Sequence, residues 1–347
     1  MKRRLNWKKT IAVAMTTVCL AGLSAGCGKQ GEGGNHNQDS ITITNVSYDP
    51  TRELYEEYNE LFKAHYKEQT GKEIEVVQSH GGSGSQARSV IEGNDADVVT
   101  LALAHDITSI EEAGLIQEGW LSEFADNSSP YTSTIVFLVR SGNEKGIQDW
   151  DDLTKEGVEV ITPDPKSSGG ACWNFLAAWD YAGRQFNNEE EKMKEFVAKI
   201  YNNVLVMDSG ARGATTTFVE NHQGDVLIAW ENEALLTLQE YPDEYEMITP
   251  SSSILAQPSV AIVDENADKN ETSEVAKEYL EYLYTEEAQR VIGENYYRPS
   301  NETILQEFSD TFDLNVALCT IDEFGGWDKA YEDFFADGAI FDEIYGK

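Results

Sequence analysis

Four short segments carry the small, hydroxylated residues from which an anion site can be built. They are Ser47-Tyr48-Asp49-Pro50, Ser79-His80-Gly81-Gly82-Ser83-Gly84-Ser85-Gln86, Pro163-Asp164-Pro165-Lys166-Ser167-Ser168-Gly169-Gly170 and Asp208-Ser209-Gly210-Ala211-Arg212-Gly213. Each follows a short β-type run and opens a helical pattern, through Ala87, Val90 and Ile91 in the second case and Trp173, Leu176, Ala177 and Ala178 in the third. The first turn of a helix has N–H groups without intrahelical partners and about half a positive charge, so it favours an anion. Glycine lets the backbone come close and serine adds a hydroxyl donor. One such loop is ordinary helix capping; four in one chain point to a shared ligand.

Other chemistries fit less well. Ser83 and His80 lie three apart, which invites comparison with a hydrolase, but Gly-x-Ser-x-Gly is broken because Ser85 takes the last place. No Gly-x4-Gly-Lys-[Ser/Thr] loop is present. His36, His65, His80, His105 and His222 lack zinc-like spacing, so no metal or cofactor is expected. Acid-rich runs such as Glu189-Glu190-Glu191 read as solvated helix faces.

The elements that must position the loops alternate between strand and helix. β-type runs cover 41–46, 75–77, 97–101, 133–138, 158–161, 204–207, 225–229 and 259–263. After Pro50, the residues Leu54, Tyr55, Tyr58, Leu61, Phe62 and His65 share one face of a 3.6-residue period. Such alternation predicts an α/β fold of mostly parallel sheets flanked by helices. Turn-rich stretches at Asn127-Ser128-Ser129-Pro130 and Pro250-Ser251-Ser252-Ser253 suggest two crossings between lobes. The expected division is lobe I from 41–130 and 255–347, and lobe II from 131–254.

The N-terminus reads as an address. Lys2, Arg3, Arg4, Lys8 and Lys9 precede an apolar run from Thr10 to Leu23, then Leu23-Ser24-Ala25-Gly26-Cys27. This pattern predicts a signal peptide over 1–26, and the Cys after small residues resembles a bacterial lipobox with lipid on Cys27. A Gly-rich polar tether over 27–40 would follow, leaving the mature protein on the outer face of the cytoplasmic membrane. The full chain of 347 residues has 26 Lys plus Arg, 62 Asp plus Glu and a net charge of −36. Loss of 1–26 removes five positive charges and no negative one, giving −41. That acidity excludes a nucleic-acid partner.

Several long motifs resemble the sulfate-binding proteins of bacterial ABC importers. The first loop extends through Thr51-Arg52-Glu53-Leu54-Tyr55, and the second runs Gln78-Ser79-His80-Gly81-Gly82-Ser83-Gly84. Pro130-Tyr131-Thr132-Ser133-Thr134-Ile135-Val136-Phe137, Pro165 to Ala171, Asp208 to Gly213 and Gly224 to Ala234 follow in order, then Tyr296-Tyr297-Arg298-Pro299 and Phe324-Gly325-Gly326-Trp327. The resemblance spans about 44–347 and implies a two-lobed, type II periplasmic-binding-protein fold with the ligand between lobes. It implies sulfate contacts from the N–H groups of Asp49, Ser83, Gly169, Gly170 and Ala211, the hydroxyls of Ser83 and Ser168, and the Trp230 indole. Arg212 and Asp106 would support that site from behind. The implied partners are sulfate or thiosulfate and the permease and ATPase of the importer, with the binding protein a monomer and not an enzyme. The Asp49 carboxylate is expected to face away from the ligand. Cys172 stands where this family usually has Arg, and Cys319 where a larger apolar residue is usual; a disulfide between them and two separate buried thiols are both open.

Overall fold

The computed structural model describes residues 40–345. The expected signal peptide, Cys27 and almost all of the tether lie outside these residues. The first part of the chain forms β1 (Ser40–Tyr48), α1 (Arg52–Thr70), β2 (Glu73–Gly81), α2 (Ser83–Ile91), β3 (Val98–Leu101), α3 (Ala104–Glu112) and a helical turn, α4 (Ala125–Ser128). The middle forms β4 (Tyr131–Thr132), β5 (Ile135–Arg140), β6 (Val160–Pro163), α5 (Gly169–Phe186), α6 (Glu190–Asn202), β7 (Val204–Asp208), α7 (Ala211–Val219), β8 (Val226–Trp230), α8 (Glu231–Glu240), β9 (Tyr245–Ile248) and β10 (Ser252–Ile254). The last part forms β11 (Ser259–Ile262), α9 (Asp264–Lys269), α10 (Ser273–Tyr282), α11 (Glu286–Glu294), β12 (Arg298–Pro299), α12 (Glu302–Glu307), β13 (Ala317–Cys319), α13 (Trp327–Phe334) and α14 (Ile340–Tyr345).

Two larger sheets organise these elements, with strand orders β11-β3-β1-β2 and β7-β6-β8-β5-β9. In the first, β1 pairs parallel with β2 and β3, and β11 runs antiparallel to β3. In the second, β6 pairs parallel with β7 and β8, whereas β5 runs antiparallel to both β8 and β9. The expected α/β class stands, but the second sheet is mixed. The reason is topological: a strand that enters a sheet by crossing from the other one is not bound by the parallel direction of a βαβ unit.

Apolar periodicity explains the helices. In α1, Leu54, Tyr55, Tyr58, Phe62 and Tyr66 are buried and Gly71 ends the helix in the left-handed region at φ 72°, where its N–H donates to Lys67 O. The Tyr279 ring packs edge-on against Tyr58 (centroids 5.1 Å apart) and Phe62 (5.0 Å).

The two stretches expected to carry the crossings lie side by side. Ser133 bridges Ala256 in antiparallel fashion, and the Ser253 hydroxyl accepts from Ile135 N (3.1 Å) and donates to Ile135 O (2.8 Å). The end of the chain packs against helices from the middle of the chain. α13 and α14, assigned to lobe I by the sequence, press their aromatic residues on α5 and α6. Phe334 lies 5.1 Å from Trp179, and Phe341 lies 5.9 Å from Phe175 and 5.5 Å from Tyr201. Phe175 is fully buried there, and burying large rings against it stabilises this packing.

Candidate anion-binding site

All four loops are strand-to-helix junctions. β1 runs into a 3-10 turn at Asp49–Thr51, with Pro50 in its first positions, and that turn continues as α1. β2 leads through Gly82 to Ser83, the first residue of α2. β6 leads through Ser168, the residue capping α5, to Gly169 and Gly170. β7 leads through Gly210 to Ala211, which opens α7. Asp49, Ser83, Ser168, Gly170 and Ala211, together with Tyr48, Gly81 and Gly82, line a single small cavity of about 10 Å³. Two loops come from the first sheet and two from the second, so the helix starts of both face one small space.

The close approach depends on missing side chains. A Cβ on Gly169 would stand 2.8 Å from the Leu103 side chain and 3.0 Å from that of Ser83. A Cβ on Gly170 would stand 3.1 Å from Trp230 Nε1. Gly169 therefore sits at the seam between the sheets, directly beside the cavity.

Individual donors are placed as follows. Ser168 is buried, and its hydroxyl makes no capping bond to the helix it precedes. Trp230 is 2% exposed at the end of β8, where its indole N–H donates to Gly170 O at 3.1 Å and its ring stands 5.5 Å from that of Tyr48. Trp230 and Ala211 both line a second cavity of about 10 Å³ that adjoins at Ala211. The Ser83 hydroxyl is bonded within the protein. It accepts from Ala102 N (3.0 Å) and donates to the Asp106 carboxylate (2.5 Å), so it is fully committed within the protein. Asp106 is thereby placed directly behind the site, and burial pushes its carboxyl above the ordinary carboxylate range against the pull of the Ser83 bond.

The Asp49 carboxylate leans across the seam on Gly210, where a Cβ would meet its Oδ2 at 2.4 Å. Burial raises its pKa, and Arg52, 4.0 Å away, opposes the rise. Arg212 is held by two acids: Glu53 of α1 at 2.7 Å and Glu233 of α8 at 3.1 Å. It thus links an element of the first sheet to one of the second. Glu53, Glu233 and Tyr48 went unremarked as site residues in the sequence, although Glu53 and Tyr48 lie within the first motif and Glu233 within the motif after Trp230. Because the Arg212–Glu53 pair is about one-third exposed on both sides, Glu53→Gln is expected to weaken ligand binding only about 2–5-fold, read by titration calorimetry, with the unfolding midpoint little changed.

Cys172 and Cys319 are both free and buried. Cys172 donates weakly to Pro165 O at 3.3 Å, and burial drives its thiol well above the usual range, so it supplies no charge where the motif usually carries Arg. No group of acids, histidines and cysteines able to hold a metal ion occurs among the described residues.

A model of the bacterial extracellular solute-binding proteins matches residues 43–298. The chain is 58% identical to the sulfate-binding protein of Escherichia coli K12 over 306 residues, 88% of this chain and 93% of that one. It is 43% identical to the thiosulfate-binding protein of Pseudomonas aeruginosa over 305 residues, 87% of this chain and 92% of that one. Among solved structures, the sulfate-binding protein SubI of Mycobacterium tuberculosis H37Rv superposes with a TM-score of 0.76 at 31% identity, covering 85% of this chain and 99% of that one. With its two helix-flanked sheets and the seam of helix starts between them, the chain belongs to the bacterial extracellular solute-binding protein family.

Proposed function

We propose that this protein captures sulfate outside the cytoplasm and delivers it to the permease of an ATP-driven importer. The observation that carries the reading is the cavity into which four helix starts from both sheets bring Asp49, Ser83, Ser168, Gly170 and Ala211. The N–H groups of Asp49, Ser83, Gly169, Gly170 and Ala211 sit in first turns, where the helix itself offers no acceptor. Ser168 adds its hydroxyl and Trp230 its indole N–H, which turns from Gly170 O to the ligand. Ser83 contributes its hydroxyl only by leaving Asp106, so its backbone N–H is the firmer donor. Donors on both sheets favour the state in which the sheets are drawn together, a population shift rather than a covalent step.

Sulfate is fully ionised at neutral pH and needs only donors. Monohydrogen phosphate brings a proton that needs an acceptor, and the nearest candidate, Asp106, is covered by Ser83. A donor left unpaired costs on the order of 1–3 kcal/mol, or about 5–150-fold in affinity. Titration calorimetry with sulfate, thiosulfate, phosphate and molybdate tests this: tight sulfate binding with phosphate weaker by that factor supports it, and equal phosphate binding refutes it. Thiosulfate is the alternative ligand, favoured by the 43% identity to a thiosulfate-binding protein.

The strong acidity is compatible with an anionic ligand because net charge acts through the solvated surface, where salt screens beyond about 8–10 Å, whereas helix dipoles act at contact. It leaves a kinetic trace. The on-rate for sulfate is expected to rise about threefold between 10 mM and 150 mM of a non-binding salt, measured by stopped-flow tryptophan fluorescence, since repulsion reverses the usual steering effect. Anchoring through lipid on Cys27 belongs to the same reading, and the mass of the membrane-extracted N-terminal peptide tests it.

A further inference from the structure

Lys166 stands two residues before Ser168, in the loop that opens α5, and is the basic side chain nearest in sequence to the Ser168-Gly169-Gly170 donors. A cation there would be expected to meet the anion. Its ammonium instead turns to the end of the chain. Nζ donates to Phe335 O at 2.9 Å, to Ala336 O at 3.2 Å and to the Asp342 carboxylate at 3.0 Å, with Asp337 at 3.8 Å. An ammonium has three N–H groups, and three acceptors use them all. Two of these acceptors lie just past the C-terminal end of α13, where carbonyls without helical partners favour a cation. Asp342 is fixed in turn by the Gly338 N–H at 2.7 Å, and that bond together with Lys166 holds its carboxyl below the usual range.

The segment that receives Lys166 is itself anchored to both halves of the site. Trp327 packs edge-on against Trp173 of α5 at 4.6 Å, and the Trp173 indole N–H donates to Ala102 O at 2.8 Å, beside Ser83's own partner. Tyr331 stacks on His105 of α3 at 3.9 Å. The loop backbone is tightened by Asp164, whose carboxylate accepts from Lys166 N and whose carbonyl accepts from Ser168 N.

We infer that Lys166 is a positioning residue for anion capture: it ties the loop carrying Ser168, Gly169 and Gly170 to the C-terminal arm of α13 and α14, and so sets the geometry of those donors. The assignment rests on the sulfate reading above. It places Lys166's action in the lifetime of the complex rather than in charge attraction, because the ammonium is already satisfied before a ligand arrives.

The test compares Lys166→Met, Lys166→Arg and Asp342→Asn with the parent mature protein by calorimetry and stopped-flow fluorescence with sulfate. Lys166→Met is expected to raise the dissociation rate about 10-fold with the on-rate and its salt dependence unchanged. Asp342→Asn, remote from the cavity, is expected to raise it about threefold, and Lys166→Arg to stay within twofold of the parent. Three outcomes overturn the inference. One is a lowered unfolding midpoint with an unchanged dissociation rate, which marks a merely structural tie. Another is a loss in Lys166→Met without any in Asp342→Asn, which marks direct charge attraction. The third is a changed salt dependence of the on-rate. If Lys166→Met fails to fold, Asp342→Asn and Lys166→Arg still decide. Failure of the parent protein to bind sulfate overturns the proposed function instead, and is seen separately in the first titration.

Discussion

Gly82→Ala is expected to lower sulfate affinity about 10–100-fold while leaving the ligand-free protein as stable as before. Gly82 has φ −58° and ψ 133°, which alanine adopts without strain. Its difficulty is space. A Cβ there would stand 2.6 Å from Ser167 O and 3.2 Å from Ser209 O, both backbone atoms of loops that belong to the second sheet. Neither carbonyl can swing aside as a long side chain would, so the added methyl holds the two sheets apart. Overpacking of this kind costs about 1–3 kcal/mol, and it falls entirely on the closed state, where each 1.4 kcal/mol is a factor of ten in affinity. Gly84→Ala is the matched control. Its Cβ would meet only Arg88 Nη1 at 3.5 Å, Asp106 Oδ1 at 3.6 Å and Ser167 O at 4.0 Å, and alanine suits the first turn of α2. Calorimetry should therefore find Gly84→Ala within about threefold of the parent. Equal affinities for Gly82→Ala and the parent would show that the sheets need not approach as closely as they do here.

The contrast between these two glycines marks where the sequence is readable and where it is not. Both lie in the same Ser-Gly loop, and the loop itself could be found, because small residues between a β-type run and a helical pattern are local signals. The same holds for Ser168-Gly169-Gly170 and for Gly210-Ala211. Which glycine touches the opposite sheet is set by Ser167 and Ser209, more than 80 residues away, and no local pattern carries that. The commitment of the Ser83 hydroxyl to Asp106 is of the same kind: both residues were singled out, but their bond depends on α2 and α3 packing together. Strands were legible where a run of buried β-branched residues filled a sheet interior, as in β1, β3, β5 and β8. The two-residue β4 and β12 and the three-residue β10 and β13 exist through pairing with distant partners, so they left no period to detect. Direction was illegible for β5, since a strand buried on both faces reads alike whether its neighbours are parallel or antiparallel. The arm of α13 and α14 shows the same limit at larger scale. Only its Phe324-Gly325-Gly326-Trp327 start stood out in the sequence, and what covers it is the aromatic surface of α5.

The largest effect on stability is expected at Glu231, the residue after Trp230. Glu231 is 0% exposed and Arg298 is 5% exposed. The two form a forked pair, with Nε 2.6 Å and Nη2 2.8 Å from the carboxylate oxygens. Arg298 also donates to Asp313 O at 3.1 Å and lies 5.6 Å from the centroid of the Phe312 ring. Arg298 sits on β12, paired with the crossing strand β4, while the Glu231 N–H donates to Thr134 O just before β5. The pair thus fastens the start of α8 to the crossing between the sheets. Desolvation makes such a pair a modest net stabiliser, but removing one member leaves a buried charge without compensation, at about 3–5 kcal/mol. That is a large part of the 5–15 kcal/mol typical of a folded domain. Glu231→Leu is therefore expected to lower the free energy of unfolding by that amount in a denaturant titration, and to weaken sulfate binding further because Trp230 loses its anchor. The double variant Glu231→Leu, Arg298→Met should recover most of the stability, since neither charge is then buried. It should recover less of the affinity, because two apolar side chains fill the space without fixing the direction of the Trp230 indole. Recovery of both to the same extent would mean that the pair only fills volume; recovery of stability alone would assign it the placement of the indole donor.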